Sequence, residues 1–460
     1  MLKIDMKKTP DSLKNSIDKV FELSATKIRD IHEKWNPGMG SPVFTANGRY
    51  TTRGWTDWTQ GFQFGCALLQ FDGTGEKYFL KIGLENTVRY MSSHLTHYGV
   101  HDHGFNTMST YGNLLRMSSE GKIHPSQSEL EHYRLAVKVS GAVQASRWQS
   151  LPENLGYIYS FNGPHSLFID TMRTLRILVA AHILGHVLMG ENDEKISLLE
   201  RSVKHALTTS IYNVYYGKGR DIYDERGRVA HESIFNTING SYRCPSTQQG
   251  YSPFSTWTRG LAWAILGYAE QIEALKDLGQ NEFESLEAGN CFGKESILQR
   301  YIEAATAVSD YYINNSPTDG IPYWDTGAPG LVKLGNWKNK QADPFNEYEP
   351  VDSSAAAIAA QGLIRLGKAL GNDRYYRAGL TIAERLLNEP YLSTSKKHQG
   401  LLLHSVYHRP RGWDYIPYGN KIPCGESSMW GDYHLLELCL LIKKITEGGY
   451  MTFYHINSKP

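Results

Sequence analysis

The stretch Asp352-Ser353-Ser354-Ala355-Ala356-Ala357-Ile358-Ala359-Ala360-Gln361-Gly362-Leu363-Ile364-Arg365-Leu366-Gly367 decides how this chain is read. A small-residue entry leads into apolar residues at helical spacing, and a Gly-containing turn then opens a second helical stretch over 373–388. Trp257 to Glu270 follows the same style, with an aromatic entry. Working outward, the periodicity predicts a helix from Leu13 to Lys34, stopped by Asn36-Pro37-Gly38. Phe62 to Gln70 and Lys77 to Tyr98 read as a helix pair joined by Asp72-Gly73-Thr74-Gly75. Further helices are predicted near 126–147, 167–189, 194–212, 256–277, 297–314, 352–370 and 427–447. Strand candidates are few, near 157–161, 214–223 and 400–407. The fold class is therefore all-α. Serial helical hairpins over this length either stack into an open solenoid or close into a toroid. Long connections carrying Trp, His, Asp and Gly favour the closed form, because function sits on loops over a rigid scaffold. No Pro- or Ser-rich linker divides the chain, so a single domain is expected over 1–460, including the N-terminal helix at about 11–35.

The 460 residues are 41% hydrophobic and 21% charged, enough apolar material for a sizeable core. Forty-eight Lys and Arg against 47 Asp and Glu leave no electrostatic footprint for nucleic acid or an anionic membrane surface. A local basic patch for an anionic sugar would not show in that total. The excess is aromatic: ten Trp and 29 Tyr serve either helix packing or a groove in which rings stack on sugar faces. Five cysteines, with no CxxC and no zinc spacing, argue against a disulfide scaffold and a structural metal. The charged start Met-Leu-Lys-Ile-Asp-Met-Lys-Lys has no apolar core of a signal peptide, and no run of about 18 apolar residues suggests a membrane span. The cytoplasm is the expected location.

Three constellations carry candidate chemistry. Gly99-Val100-His101-Asp102-His103-Gly104-Phe105 sets an Asp between two His. Asp102 reads either as a helix N-cap or as a carboxylate at a cavity mouth, with Gly104 letting the chain pass close to a ligand. Phe168-Ile169-Asp170-Thr171-Met172 opens an apolar stretch. Asp170 again reads as a cap, or as a desolvated carboxyl with raised pKa, poised as a general acid. Two such groups facing one cavity are the usual glycosidase arrangement. Gln249-Gly250-Tyr251-Ser252 and Ser255-Thr256-Trp257-Thr258-Arg259-Gly260-Leu261-Ala262-Trp263 form the third. Arg259 and Trp263 stand four apart on one helix face, and Arg259 reads as a packing residue or as a fork that clamps a carboxylate.

His101-Asp102-x-Gly104-Phe105, Ile169-Asp170-Thr171-Met172 and Gln249-Gly250-Tyr251…Trp257-x-Arg259-Gly260-x-Ala262-Trp263 resemble motifs of the unsaturated glucuronyl hydrolases, glycoside hydrolase family 88. The likeness extends to Trp58-Thr59-x-Gly61-Phe62, Asp352-Ser353-Ser354-Ala355-Ala356-Ala357, Leu401-Leu402-Leu403-His404 and Trp430-Gly431-Asp432-Tyr433, so ordered blocks cover nearly the whole chain. The resemblance implies an (α/α)6 barrel with its active site in the open end. It implies Asp170 as general acid/base and Asp102 as the second essential carboxylate. It also implies His231, Gln249, Arg259 and Trp263 as substrate-binding residues, and Trp58 and Phe62 as aromatic lining.

The implied reaction is hydration of a lyase-generated C4=C5 enol ether. Protonation at C4 creates an oxocarbenium-like centre at C5, water adds there, and the hemiketal opens to release the aglycone. No metal or other cofactor is needed. The implied partner is an unsaturated uronate-containing oligosaccharide, and the expected assembly is a monomer or homodimer. Alternatives are the sister activity on unsaturated galacturonyl-rhamnose, a non-catalytic sugar-binding barrel, and an epimerase using helical His such as His182, His186 or His205. The chain departs from the family's pattern at Pro253-Phe254 and Arg173-Thr174.

Overall fold

In the computed structural model, which describes residues 1–54 and 58–456, helices alternate between an outer and an inner layer. In chain order the longer ones are α1 (Lys14–Lys34), α2 (Gln60–Thr74) and α3 (Lys77–Tyr90). Then come α4 (His103–Thr107) and α5 (Asn113–Ser119), joined by a π-turn over Met108–Gly112. They are followed by α6 (Gln127–Ser146), α7 (Thr171–Thr174), α8 (Arg176–Ile183), α9 (Leu198–Tyr212) and α10 (Thr258–Asp277). The last are α11 (Lys294–Asn315), α12 (Ser353–Leu370), α13 (Asp373–Leu386) and α14 (Met429–Thr446). The inner ring runs α2, α4–α5, α7–α8, α10, α12, α14 and back to α2, each element touching the next. Helices α1, α3, α6, α9, α11 and α13 cover it from outside. This closed set of six outer–inner hairpins is an (α/α)6 barrel, the toroid and not the open solenoid.

Inner helices are buried nearly all round, as α10 and α12 show, whereas the outer α13 buries one face only. The alanine run of α12 is fully buried because α12 and α10 approach closely. A Cβ on Gly362 would stand 2.8 Å from the backbone of Leu266, a distance no larger residue tolerates. The helices start where capping chemistry allows. Ser126 and Glu129 form a reciprocal capping box on α6, and Asp352 Oδ1 accepts from Ser354 N and Ala355 N at the head of α12.

The structure corrects several predicted boundaries. Helix α2 runs through Asp72-Gly73-Thr74, and only Gly75, at φ 76°, turns the chain. The helix expected to reach Tyr98 ends at Tyr90. The stretch predicted helical over 167–189 gives up both ends to strands, Ser166–Phe168 and Val187–Met189. The 214–223 and 400–407 candidates make only single bridges, such as Val214 with Val229 and Leu402 with Leu392. The candidate at 157–161 is realised as a strand over Leu155–Ile158, paired antiparallel with Trp148–Leu151. Helices α4 and α5 were not expected. Their small and polar residues, including Thr107, Ser109, Thr110 and Asn113, are buried inside the ring, so they carry no amphipathic period.

Strands sit at the barrel's loop end and fix the site. The strand Ser166–Phe168 pairs antiparallel with Glu232–Phe235, which pairs with Tyr242–Ser246. The register sets Phe168 opposite Glu232, and Ile169 N donates to His231 O at 2.9 Å. Among the described residues, no helix is long and apolar enough to cross a membrane, and all five cysteines are free thiols.

Candidate active site

A cavity of about 440 Å³ opens among the loops that enter α4, α7 and α10. Asp102, Asp170, Gln249, Arg259, Trp263 and Trp58 all line it, so six of the eight residues singled out from sequence meet there. Asp102 and Asp170 each occupy the N-cap position of an inner helix, α4 and α7, yet neither side chain caps its helix. The capping reading is therefore corrected: both carboxyls are left to face the cavity. Gly104 permits this close packing, since a Cβ there would lie 2.2 Å from the Thr174 carbonyl oxygen.

His101 stands between the two acids. Its Nε2 lies 3.7 Å from Asp170 Oδ1 and 3.9 Å from Asp102 Oδ1. Burial pushes the Asp102 carboxyl above its ordinary value, and the Asp170 charge adds to that, against His101. Burial also acts upward on Asp170, but His101 and His231 outweigh it and hold this carboxyl below its ordinary value. The expectation that desolvation raises Asp170 is thus corrected. Burial would lower the His101 imidazole, but Asp102 and Asp170 outweigh that and raise it. Paired environments that push two carboxyls in opposite directions are how acid and base roles are separated.

Arg259 is placed differently from the expected open clamp. Its Nη1 pairs with Asp352 Oδ2 at 2.9 Å and also donates to Val406 O. Its Nη2 donates to Gln249 Oε1 at 3.1 Å and to Tyr407 O at 2.8 Å. The guanidinium also packs over the rings of Trp257 and Trp430. Both terminal nitrogens are committed to protein, so Arg259 ties Gln249 and the 406–407 backbone to α12.

His231 and Phe62 lie outside the cavity lining. His231 packs behind Phe168 and Trp257, with ring centroids 4.5 and 4.9 Å away, and its Nδ1 accepts from Gln248 N at 3.0 Å. That acceptance leaves Nε2 as the protonated nitrogen, buried and without a hydrogen-bond partner. Phe62 is fully buried and supports Trp58 edge-on from behind. Trp58 itself stacks on Trp430 at 4.9 Å, and Trp263 packs on Phe105 at the same distance.

Sequence reading missed the opposite rim. Arg53, Tyr407, His408, Arg411 and Trp413 line the mouth. The guanidinium carbons of Arg53 and Arg411 lie 5.4 and 5.2 Å from the Trp413 ring centre, and neither arginine has an ion-pair partner among the described residues. Asp414 holds this loop by accepting from Tyr407 N and His408 N. The string Arg409-Pro410-Arg411-Gly412-Trp413 was the available signal. Among the described residues, no group of three or more His, Cys, Asp or Glu could hold a metal ion.

No protein-family model matches the chain. It is 25% identical to an unsaturated glucuronyl hydrolase of Formosa agariphila over 386 residues, which are 83% of this chain and 78% of the relative. It is 24% identical to an unsaturated chondroitin disaccharide hydrolase of Streptococcus agalactiae, covering 87% of this chain and 85% of that one. A third relative, an unsaturated glucuronyl hydrolase of Bacillus sp. strain GL1, is 25% identical over 88% of this chain and 91% of its own. The crystal structure of unsaturated glucuronyl hydrolase from Bacillus sp. GL1 superposes with a TM-score of 0.70 at 22% identity, over 96% of this chain and 99% of that one. A hydrolase described as specific for heparin gives the same TM-score at 20% identity, over 95% and 99%. The chain thus resembles unsaturated glucuronyl hydrolases over most of its length and shares their fold.

Proposed function

We propose that this protein is a glycosidase that releases 4,5-unsaturated glucuronic acid from the non-reducing end of lyase-generated oligosaccharides, by hydrating the C4=C5 enol ether. The observation that carries this reading is the pair of uncapped, buried carboxyls, Asp102 and Asp170, facing one aromatic-walled cavity. The presence of both acids in a chain aligned with hydrolases over most of its length supports catalysis and not mere sugar binding. In this reading Asp170 exchanges the proton at C4 and then activates the water that adds at C5. Trp58 and Trp263 offer ring faces to the sugar, and Gln249, oriented by Arg259, offers its amide to the sugar's polar groups. His231 and Phe62 act from behind, one beside Asp170 and one beneath Trp58.

Arg53 and Arg411 at the rim, without an ion-pair partner among the described residues, favour a neighbouring sugar that carries sulfate or carboxylate over a neutral one. The same reading takes the chain as one catalytic domain over 1–460, of which 55–57 and 457–460 lie outside the described residues. It places the enzyme in the cytoplasm, as a monomer or homodimer.

The conjugated double bond absorbs in the ultraviolet and its hydration removes the signal, so absorbance reports the reaction directly. Purified protein is mixed with unsaturated chondroitin, hyaluronan and heparin disaccharides and with an unsaturated rhamnogalacturonan disaccharide. Loss of absorbance with a glucuronyl substrate, abolished in Asp170→Asn, is the expected result. Loss with the rhamnogalacturonan substrate alone would move the assignment to the sister activity. No loss with any of the four would sink the proposal.

A further inference from the structure

His101 is buried beside the two acids of the cavity and has no role in the reaction as described above. The residue is 1% exposed, and neither ring nitrogen has a hydrogen-bond partner among the described residues. Phe161 stacks over the ring at 6.1 Å and 25°, and Phe168 meets it edge-on at 5.6 Å. A polar ring held in an aromatic slot is costly unless something nearby compensates it. The compensating groups are the two carboxylates, 3.7 and 3.9 Å from the same Nε2. Catalytic contacts are commonly long before substrate binds and tighten in the complex.

The other charged or titratable groups facing His101 come from four elements. Arg147, at the end of α6, opposes a charge on the ring, but it is committed to the carbonyls of Tyr98, Tyr159 and Ser160. His205 of α9 is held neutral by burial and accepts from Ile158 N through Nδ1. His231, just before the strand Glu232–Phe235, and His97, on the loop before α4, are both lowered by burial. Opposite charge on His101 therefore comes from Asp102 and Asp170.

On the reading that the protein hydrates an unsaturated uronyl residue, we propose that His101 holds the proton that Asp170 delivers, making the donor an imidazolium–carboxylate pair and not Asp170 alone. His101 is then a positioning residue that acts through Asp170. The Nε2 proton passes to Asp170 as Asp170 protonates C4, and the C4=C5 electron pair becomes the new C4–H bond. Water oxygen bonds to C5, and the proton it loses returns through Asp170 to Nε2. One water is added across the double bond, and the enzyme ends in its starting protonation state. Asp102, on the other side of Nε2, keeps the ring charged between turnovers. The three groups titrate as a unit.

Two measurements on the full chain test this. The first is nitrogen NMR of labelled histidine, with the His101 signals assigned by His101→Gln, or by His101→Asn should the first variant fail to fold. The expected result is an imidazolium at pH 7 whose midpoint falls by about one pH unit, a tenfold loss of proton affinity, in Asp170→Asn. A neutral His101 at pH 7, or a midpoint indifferent to Asp170→Asn, would overturn the proposal. The second is the pH profile of the same glutamine or asparagine variant. We expect kcat to fall about 10²-fold at pH 7.5 and clearly less at pH 5.5, where Asp170 can carry its own proton, with KM changed less than about threefold. An equal loss at both pH values would mark a merely structural role and overturn the proposal. The two readings fail separately: absence of turnover by the wild type sinks the hydrolase assignment, whereas a neutral His101 sinks only this one.

Discussion

Two sets of buried charges share the inner helices, and the fold treats them in opposite ways. In the first, Arg173 pairs with Glu270 and Glu437, and Arg176 adds a second contact to Glu437. Tyr433 also donates to Glu437 at 3.2 Å, and all four charged side chains are at most 3% exposed. Every charge there has an opposite charge at contact. In the second, at the cavity, two carboxylates flank one imidazole that neither reaches at hydrogen-bond distance. The set in close contact holds the ring together, and on the proposed reading the looser set binds and moves a proton. The two are joined, since Arg176 Nε donates to the Gly104 carbonyl at 2.9 Å, on the turn that presents Asp102. Stability and reactivity are thus built from the same kinds of groups, separated by whether their electrostatic demand is met.

Removing one charge from each set should break the molecule in different ways. Asp170→Asn keeps the shape and removes the exchangeable proton, so turnover should fall about 10³-fold or more, while the lost contact with His101 costs only about 1 kcal/mol of stability. The absorbance assay and a thermal melt check this together, and near-normal turnover would remove Asp170 from the mechanism. Glu437→Gln should do the reverse. It strips Arg173 and Arg176 of a shared partner and should cost about 3–5 kcal/mol of stability by denaturant unfolding. Burial acts upward on Glu437, but Arg173 and Arg176 hold its folded pKa far below the ordinary 4.5. Its stabilisation is therefore present above that ordinary value and is lost as the pH falls toward the folded one. The gap between wild type and Glu437→Gln should narrow below about pH 4.5, and a gap that widens there would contradict the pairing.

Asp102 sharpens the contrast because its sign is opposite. Its folded pKa is raised, chiefly by burial, so the ionised form is disfavoured in the fold. The stability it contributes is present at low pH and lost as the pH rises through the folded value. Asp102→Asn carries no such loss. The variant should be more stable than wild type by on the order of 1 kcal/mol, the usual scale of one stabilising substitution, with a larger margin at pH 8 than at or below the ordinary carboxyl value of 3.8. A destabilised Asp102→Asn at pH 8 would mean that this carboxylate is structurally paired after all.

The barrel and the floor of the cavity were legible in the sequence for related reasons. Outer helices bury one face and show the 3.6-residue period, and α10 and α12 announce themselves by aromatic or small-residue entries. Helices α4 and α5 were silent because a helix buried nearly all round, with polar and apolar residues alike inside the ring, has no apolar stripe. Asp102, Asp170, Gln249 and Trp263 were found because each sits in a short local motif at the head of an inner helix. His231 and Phe62 were placed one layer too far forward, because a motif does not say which side of a ring faces the ligand. Arg173, which looked like a departure from the family pattern, proves to be one of the four charges of the buried ion cluster. The pKa order of the two acids was out of reach, because it depends on His101 and His231 converging from separate elements.

The rim supplies the smallest effect and the cleanest separation from the floor. Arg53 and Arg411 are exposed and flank Trp413, far from the shielding that makes the buried pairs strong. An exposed charge contact contributes about 0.2–1 kcal/mol, so Arg53→Ala or Arg411→Ala should each raise KM about two- to fivefold for a substrate whose second sugar is sulfated. Turnover should not change, because neither side chain reaches the buried acids through the aromatic wall. The effect should shrink in high salt, where exposed charges are screened within about 10 Å or less, and vanish for a neutral second sugar. If kcat falls instead and KM holds, the two arginines belong with the proton-transfer groups, and the division between a reactive floor and a selective rim is wrong.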